Sequence, residues 1–138
     1  MSFDAAYARF APYVAAIAVR ITGRDADVDD LVQEAFLSLA RRFGDEVPRD
    51  EDARRFLVRV VVRVSARLLG RRRLRERLFV RDPGPALAVA GSSLGPEELV
   101  TLRRLYAVLA RLPARQRIAW VLRHIEGESL PEVAHLCG

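Results

Sequence analysis

The chain has 138 residues, of which 51% are hydrophobic and 30% charged, a balance that allows one domain or two small ones and excludes wholesale disorder. Its longest apolar run falls short of the roughly 20 residues of a membrane span, and no secretory signal is visible at the N-terminus. Cys137 is the single cysteine and has no disulfide partner in the chain, which predicts a reducing, cytoplasmic setting.

The charges are unevenly distributed along the chain. All 23 basic residues are arginine. Residues 1–48 hold five arginines against eight acidic residues, residues 49–81 hold twelve against four, and residues 82–138 hold six of each. A guanidinium group binds phosphate in a bidentate fork. The distribution therefore indicates a polyanionic partner for the middle segment and a different partner for the first.

Helical periodicity dominates the first 44 residues. Ser2 is a suitable N-cap for a first helix, and Gly23 is suited to end it. Asp25 or Asp27 begins a second helix that has an acidic first turn and two arginines in its last turn, before Gly44. Both helix ends thus carry the charges that a helix dipole favours.

A third element begins near Ala53, and its type is ambiguous at first sight. Valines alternate along it as they would on the buried face of a strand. However, the segment runs past Leu69 without a turn signal, which is longer than most strands. Arginines also recur every four residues, at Arg55, Arg59, Arg63, Arg67 and Arg71. The repeat and the length favour a helix that carries a row of arginines.

The remaining chain predicts a linker and three more helices. Residues 82–95 are rich in Gly, Pro and Ser and predict a flexible connection. Helices are then expected from Pro96, after Pro113, and over residues 130–137, where Ser129 and Glu132 have capping-box spacing. The predicted fold is all-α, with small helical domains at 1–81 and 96–138 joined by the linker.

No pattern for catalysis or for a cofactor is recognisable. His124 and His135 lie eleven residues apart and lack metal-ligand spacing, and neither phosphate-binding glycine pattern occurs. The sequence therefore predicts a protein that is not an enzyme and holds no metal or cofactor.

Three features point to binding instead. Asp30, Gln33 and Glu34 share one side of the second helix, which by itself is either a solvated face or a docking surface. The arginine row and its extension through residues 71–75 are either a solvated face or a nucleic-acid site. We favour nucleic acid because so many arginines repel one another unless a polyanion neutralises them. The helix–turn–helix pattern around residues 126–129 is the third feature.

Taken together, these segments resemble a known family. The run DVDDLVQEAFLSLAR, residues 27–41, looks like the core-polymerase-binding helix of bacterial sigma factors. LPARQRI at 112–118 and LRHIEGESLPEVA at 122–134 resemble the fourth conserved region of the same family. The order of acidic helix, basic helix, linker and helix–turn–helix is similar to that of the two-domain extracytoplasmic-function group.

The resemblance implies a promoter-specificity factor that binds core RNA polymerase and promoter DNA. Its polymerase-binding residues would be Asp29, Asp30, Gln33 and Glu34, in contact with a coiled coil of the largest polymerase subunit. The basic helix would capture the melted strand of the −10 element, with Phe56 and the loop 44–52 offering a surface for the bases. The DNA-binding residues would be Phe56, Arg59, Arg63, Arg67, Arg71, Arg72 and Arg73. An anti-sigma protein is a further partner that the resemblance allows.

The second domain matches the family only in part. The sequence ends where the recognition helix of the family begins, so we expect this domain to lack that helix and to show no preference for a −35 element. Without it, residues 130–137 have little to pack against, and we expect Val133, Leu136 and Cys137 to be partly exposed. The family also often carries Asn and Asp near Arg63 and Arg67, so the resemblance implies no base preference.

Two other functions remain open at this point. One is a polymerase-binding regulator that does not read the −35 element. The other is a basic helical module that binds acidic partners or a membrane surface.

Overall fold

The computed structural model describes residues 1–78 and 94–138, with side chains for residues 1–74 and 94–138. Within these ranges the chain forms six α-helices and no strand. They are α1 (Phe3–Thr22), α2 (Val28–Phe43), α3 (Asp50–Leu78), α4 (Pro96–Leu109), α5 (Ala114–His124) and α6 (Leu130–Cys137). The all-α prediction is confirmed. The predicted linker lies mostly outside the described residues, and the division of the chain into two domains stays a prediction.

The caps of α1 form as the sequence predicts. The Ser2 hydroxyl accepts a hydrogen bond from the N–H of Ala5 at 3.2 Å. Gly23 adopts the left-handed conformation, with φ of 73°, and donates its N–H to the Val19 carbonyl. Because a side chain is strained at this φ, glycine is the suitable residue here. Asp27 precedes α2 as the capping residue, although its side chain makes no capping hydrogen bond.

Helix α3 lies at the centre of the fold, which explains the ambiguous valine pattern. It begins at Asp50, three residues before the predicted Ala53, with three acidic residues in its first turn. Val60, Val61 and Val62 are consecutive, and all three are buried. This is possible because α3 packs against four helices, α1, α2, α5 and α6. Burial of α3 among several helices, rather than a strand, produces the valine-rich sequence.

The C-terminal helices share one continuous hydrophobic core with the first three. Val133 and Leu136 of α6 are 8% and 2% exposed, so the expectation that they are partly exposed is wrong. The physical reason is that α3 offers a second apolar face, which covers α6. Cys137 is half-buried, as expected.

The C-terminal end of α1 is where the later helices attach. Its last four carbonyls have no partner within the helix, and each accepts a hydrogen bond from elsewhere. The Val19 carbonyl accepts the Gly23 N–H, and the Arg20 carbonyl accepts the Tyr106 hydroxyl. Arg117 of α5 donates to the carbonyls of Ile21 at 3.2 Å and Thr22 at 2.8 Å. Its buried positive charge also lies at the negative end of the helix dipole.

Candidate protein- and nucleic-acid-binding surfaces

The polar side of α2 forms an acidic face, defined here as Asp29, Asp30, Gln33 and Glu34. The first three side chains are exposed and Glu34 is half-buried. Leu31, Ala35 and Leu39 hold the helix in place because they are buried on its opposite side. The four side chains are thus presented together on a rigid element, where opposite charges on a partner can reach them.

Helix α3 carries the predicted row of arginines, of which Arg55 is paired with Glu132. From here on, the arginine row means Arg59, Arg63, Arg67 and Arg71. All four side chains are exposed. Within the part of the chain that the structure describes, none of them takes part in an ion pair. Four exposed guanidinium groups at four-residue spacing form a stripe that suits a phosphate backbone.

The acidic face and the arginine row meet at one groove. A cavity of about 370 Å³ lies between α2 and α3, with Asp30 and Glu34 on one wall and Arg67 and Arg71 on the other. The two surfaces are therefore neighbours, and a partner bound to one lies close to a partner bound to the other.

Arg72 lies apart from the row. Its guanidinium donates to the Thr22 carbonyl at 3.2 Å and forms an ion pair with Asp27, so it joins the end of α1 to the start of α2. Arg73 is partly exposed. The structure thus places Arg72, one of the predicted DNA-binding residues, in a contact that holds the first three helices together.

A larger groove contains the predicted base-binding residue. Phe56 and Phe43 contact each other edge to face, with their ring centroids 5.2 Å apart. They lie in a cavity of about 970 Å³ between α3 and the C-terminal helices, called here the aromatic groove. Pro48 and Asp52 line it from the loop side, and its basic residues are Arg55, Arg59, Arg63, Arg67 and Arg115. Aromatic rings with guanidinium groups around them suit stacked bases and their phosphates.

The loop beside the aromatic groove is fixed by the start of the chain. The N–H of Val47 donates to the Met1 carbonyl at 3.0 Å, and the Asp45 carboxylate accepts the N–H of Phe3 at 3.2 Å. Val47 itself is buried in the core. These contacts give the loop a defined position next to Phe56.

Sequence reasoning missed the role of the residues that precede the row. Arg54 donates to the hydroxyl of Tyr13 at 3.0 Å and to carboxylates of Glu51 and Glu128. The hydrogen bonds of Arg54 hold the pKa of Glu51 below its usual value, and the pKa of Arg54 is raised in turn. Arg55 pairs with Glu132. No local signal reveals the pairs with Glu128 and Glu132, because these residues lie more than seventy residues from Arg54 and Arg55.

Other chemistry is not apparent in the described residues. They contain no group of three His, Cys, Asp or Glu side chains that could hold a metal ion. Burial raises the pKa of the Cys137 thiol, which disfavours the reactive thiolate. None of the helices searched in the described ranges combines the length and the apolar character that crossing a membrane requires.

Comparison with known protein families decides the assignment. Residues 6–75 match the family described as sigma-70 region 2. The chain belongs to the sigma-70 family, of the extracytoplasmic-function (ECF) type. The match contains most of α1, all of α2 and most of α3, so both the acidic face and the arginine row lie within region 2.

Two curated relatives carry names of the same family. One is the RNA polymerase sigma factor CnrH of Cupriavidus metallidurans, which is 34% identical over 83% of this chain and 63% of the relative. The other is the ECF RNA polymerase sigma factor SigE of Mycolicibacterium smegmatis, 30% identical over 99% of this chain and 53% of the relative. The chain thus spans between about half and two thirds of the length of these relatives. No solved structure gives a significant match. Sigma factors are initiation factors rather than enzymes.

Proposed function

We propose that this sigma-70 family chain is a promoter-specificity factor. It binds core RNA polymerase with the acidic face of α2 and promoter DNA with α3, and it acts in the cytoplasm, where the polymerase is. The observation that carries the proposal is the groove at which Asp30 and Glu34 meet Arg67 and Arg71, within region 2. Two surfaces of opposite charge on adjacent helices suit a protein that holds a basic partner and DNA side by side.

The acidic face is proposed to contact a basic coiled coil of the largest polymerase subunit. Asp29, Asp30 and Gln33 are exposed on one side of α2, so their charges and amide are accessible to a partner. Opposite charges at the rim of such an interface speed association and fix its register. An anti-sigma protein that blocks this surface is a further proposed partner.

The DNA side combines two parts of α3. The arginine row would neutralise phosphates, and the aromatic groove around Phe43 and Phe56 would receive unstacked bases of the melted −10 element. Arg72 is left out of this proposal because its guanidinium is engaged with Thr22 and Asp27. We therefore propose the row and the groove, rather than the whole basic segment, as the DNA-binding site.

The polymerase contact is tested by charge reversal. Asp30→Arg with Glu34→Arg turns attraction for a basic partner into repulsion, and we expect binding to core polymerase to weaken at least about tenfold. Asp4→Arg with Glu46→Arg makes the same charge change on exposed residues outside α2 and is expected to bind normally. Equal binding by the two double variants at low salt would reject the assignment of the acidic face.

The DNA contact is tested by the salt dependence of binding to single-stranded DNA. The log–log slope is about 0.7 per phosphate neutralised, so replacing Arg59, Arg63 and Arg71 by Gln flattens it by about two units if all three touch phosphate. The matched control makes the same change to Gln at three exposed arginines of the C-terminal half, Arg103, Arg104 and Arg111. An unchanged slope in the first variant would show that the row does not contact the backbone.

The comparisons favour this function over the two others considered. Both of these curated relatives are named as sigma factors, and the match to region 2 contains both the acidic face and the arginine row. In vitro transcription with core enzyme decides between a promoter-specificity factor and a regulator that only docks, since only the former starts transcripts at a defined promoter.

A further inference from the structure

Positive charge lines the aromatic groove on two walls. The α3 wall presents Arg59, Arg63 and Arg67, and the wall formed by the C-terminal helices adds Arg115 of α5. All four side chains are exposed, and within the described part of the chain none of them takes part in an ion pair. Asp52 is the one acidic side chain among the described residues that line the groove. The groove therefore has a surplus of positive charge that a bound anion can neutralise.

Apolar side chains line the same groove. Two of them are the half-buried rings of Phe43 and Phe56, and Val60, Ala66 and Ile118 are others. The cavity of about 970 Å³ lies within the range of roughly 300–1,000 Å³ that is typical of small-molecule sites. A ligand that suits this lining combines a flat aromatic part with several negative charges.

The order of residues along α3 matches the parts of a nucleotide. An α-helix rises about 1.5 Å per residue, so Arg59 and Arg63 lie roughly 4.5 and 10.5 Å further along the helix axis than Phe56. A base stacked on Phe56 thus places its ribose and phosphates beside these two guanidinium groups. Guanidinium groups bind phosphate oxygens through charge-assisted hydrogen bonds that are frequently bidentate.

We propose that the aromatic groove binds a nucleoside polyphosphate, with the base on Phe43 and Phe56 and the phosphates between Arg59, Arg63 and Arg115. A DNA strand spreads its phosphates along its length, whereas a nucleoside triphosphate gathers its negative charge at one end, which suits arginines on two walls of one cavity. Arg115 is not part of the proposed DNA site. This inference therefore goes beyond the proposed function and can fail independently of it.

Binding is tested on the full chain by isothermal titration calorimetry with ATP and with GTP, because aromatic stacking tolerates either base. Adenosine and inorganic triphosphate each carry one part of the ligand, and both are expected to bind at least about tenfold more weakly than ATP. Triphosphate that binds as tightly as ATP would show an anion site without base recognition. Absence of binding by both nucleotides, or equal binding by triphosphate or adenosine, overturns the proposal.

Cys137 reports where the nucleotide binds. It is the single cysteine of the chain, it is half-buried, and it lines the aromatic groove. Burial raises the pKa of its thiol and the charge of Arg115 lowers it, so a phosphate on Arg115 makes the thiolate scarcer. Saturating ATP is expected to slow the reaction of Cys137 with a neutral maleimide at least about threefold. An unchanged rate with bound ATP would place the ligand outside the groove and refute the proposal.

Two single variants test the contacts. Arg115→Gln removes one phosphate contact, and Phe56→Leu removes the stacking surface but keeps an apolar side chain. Each is expected to weaken ATP binding roughly fivefold to tenfold, and circular dichroism reports whether the helices are intact. The control Arg103→Gln makes the same charge change at an exposed position on α4 and is expected to bind ATP as the unaltered chain does. Equal affinity of Arg115→Gln and Arg103→Gln for ATP would refute the site.

A comparison with single-stranded DNA separates this site from the proposed DNA site. Arg115→Gln is expected to weaken ATP binding and to leave the salt dependence of oligonucleotide binding unchanged. Equal weakening of both ligands would make the groove a continuation of the DNA site and overturn the nucleotide proposal. If no form of the chain binds the oligonucleotide while ATP binds and protects Cys137, the proposed DNA function fails and the nucleotide site is supported.

Discussion

Arg117 offers the sharpest test of how the two halves are joined. It is 6% exposed, and its guanidinium donates to the carbonyls of Ile21 and Thr22 at the end of α1. It also lies over the ring of Tyr106, 5.7 Å from the centroid. The perturbation is Arg117→Met, which keeps an apolar stem of similar length but removes the charge and the donors.

The expected loss follows from these contacts. The Thr22 carbonyl keeps a hydrogen bond from Arg72, whereas the Ile21 carbonyl loses the N–H that it accepts from Arg117. A buried carbonyl left without a partner costs about 1–3 kcal/mol, and the lost cation–π contact adds about 0.5 kcal/mol. We therefore expect the free energy of unfolding to fall by about 2 kcal/mol. With an unfolding entropy of about 2.1 cal/mol/K per residue, Tm falls by about 7 °C.

The assay is urea and thermal unfolding followed by circular dichroism at neutral pH. Arg103→Met serves as the control because it removes the same charge from an exposed position on α4. A loss below about 0.5 kcal/mol, or a loss equal to that of Arg103→Met, would show that the attachment of α5 to α1 does not depend on these hydrogen bonds.

Two further predictions concern buried hydroxyl groups. Burial raises the pKa of Tyr106 to about 12, above its unfolded value of about 10, so its contribution to stability is complete below pH 10 and is lost as the pH rises towards 12. The free energy of unfolding is measured at pH 9 and at pH 11. Its decrease between these two pH values is expected to be about 1 kcal/mol smaller in Tyr106→Phe than in the unaltered chain, and equal decreases would contradict this. Ser65 is fully buried and its hydroxyl has no hydrogen-bond partner among the described residues, so Ser65→Ala is expected to raise the free energy of unfolding by about 1 kcal/mol. A lower Tm in this variant would mean that the hydroxyl is satisfied.

Local sequence signals predicted the helices and the two surfaces of region 2. Ser2, Gly23 and Ser129 occupy cap positions because capping depends on residues three or four apart, which a sequence shows directly. The acidic face and the arginine row were likewise visible, since helical periodicity decides which side chains share a face. The polymerase and DNA roles of these surfaces remain proposals.

Other features depend on residues that are distant in sequence. The valine run of α3 indicated burial but not that two separate groups of helices cover it, so α6 was wrongly expected to expose Val133 and Leu136. The predicted DNA-binding residue Arg72 is held between Thr22 and Asp27, a contact that only the tertiary structure places together.

The sequence by itself therefore determined the helical class, the helix ends and the order of charged faces, because these follow from interactions within a few residues. Only the tertiary structure decided that the C-terminal helices lie on region 2, and that Glu126 and Glu128 reach Arg20 and Arg54. Those partners are 106 and 74 residues apart. Because the chain has more arginines than acidic residues, charge alone would allow each carboxylate to pair with any of many arginines. Chain packing, rather than charge, selects which pair forms.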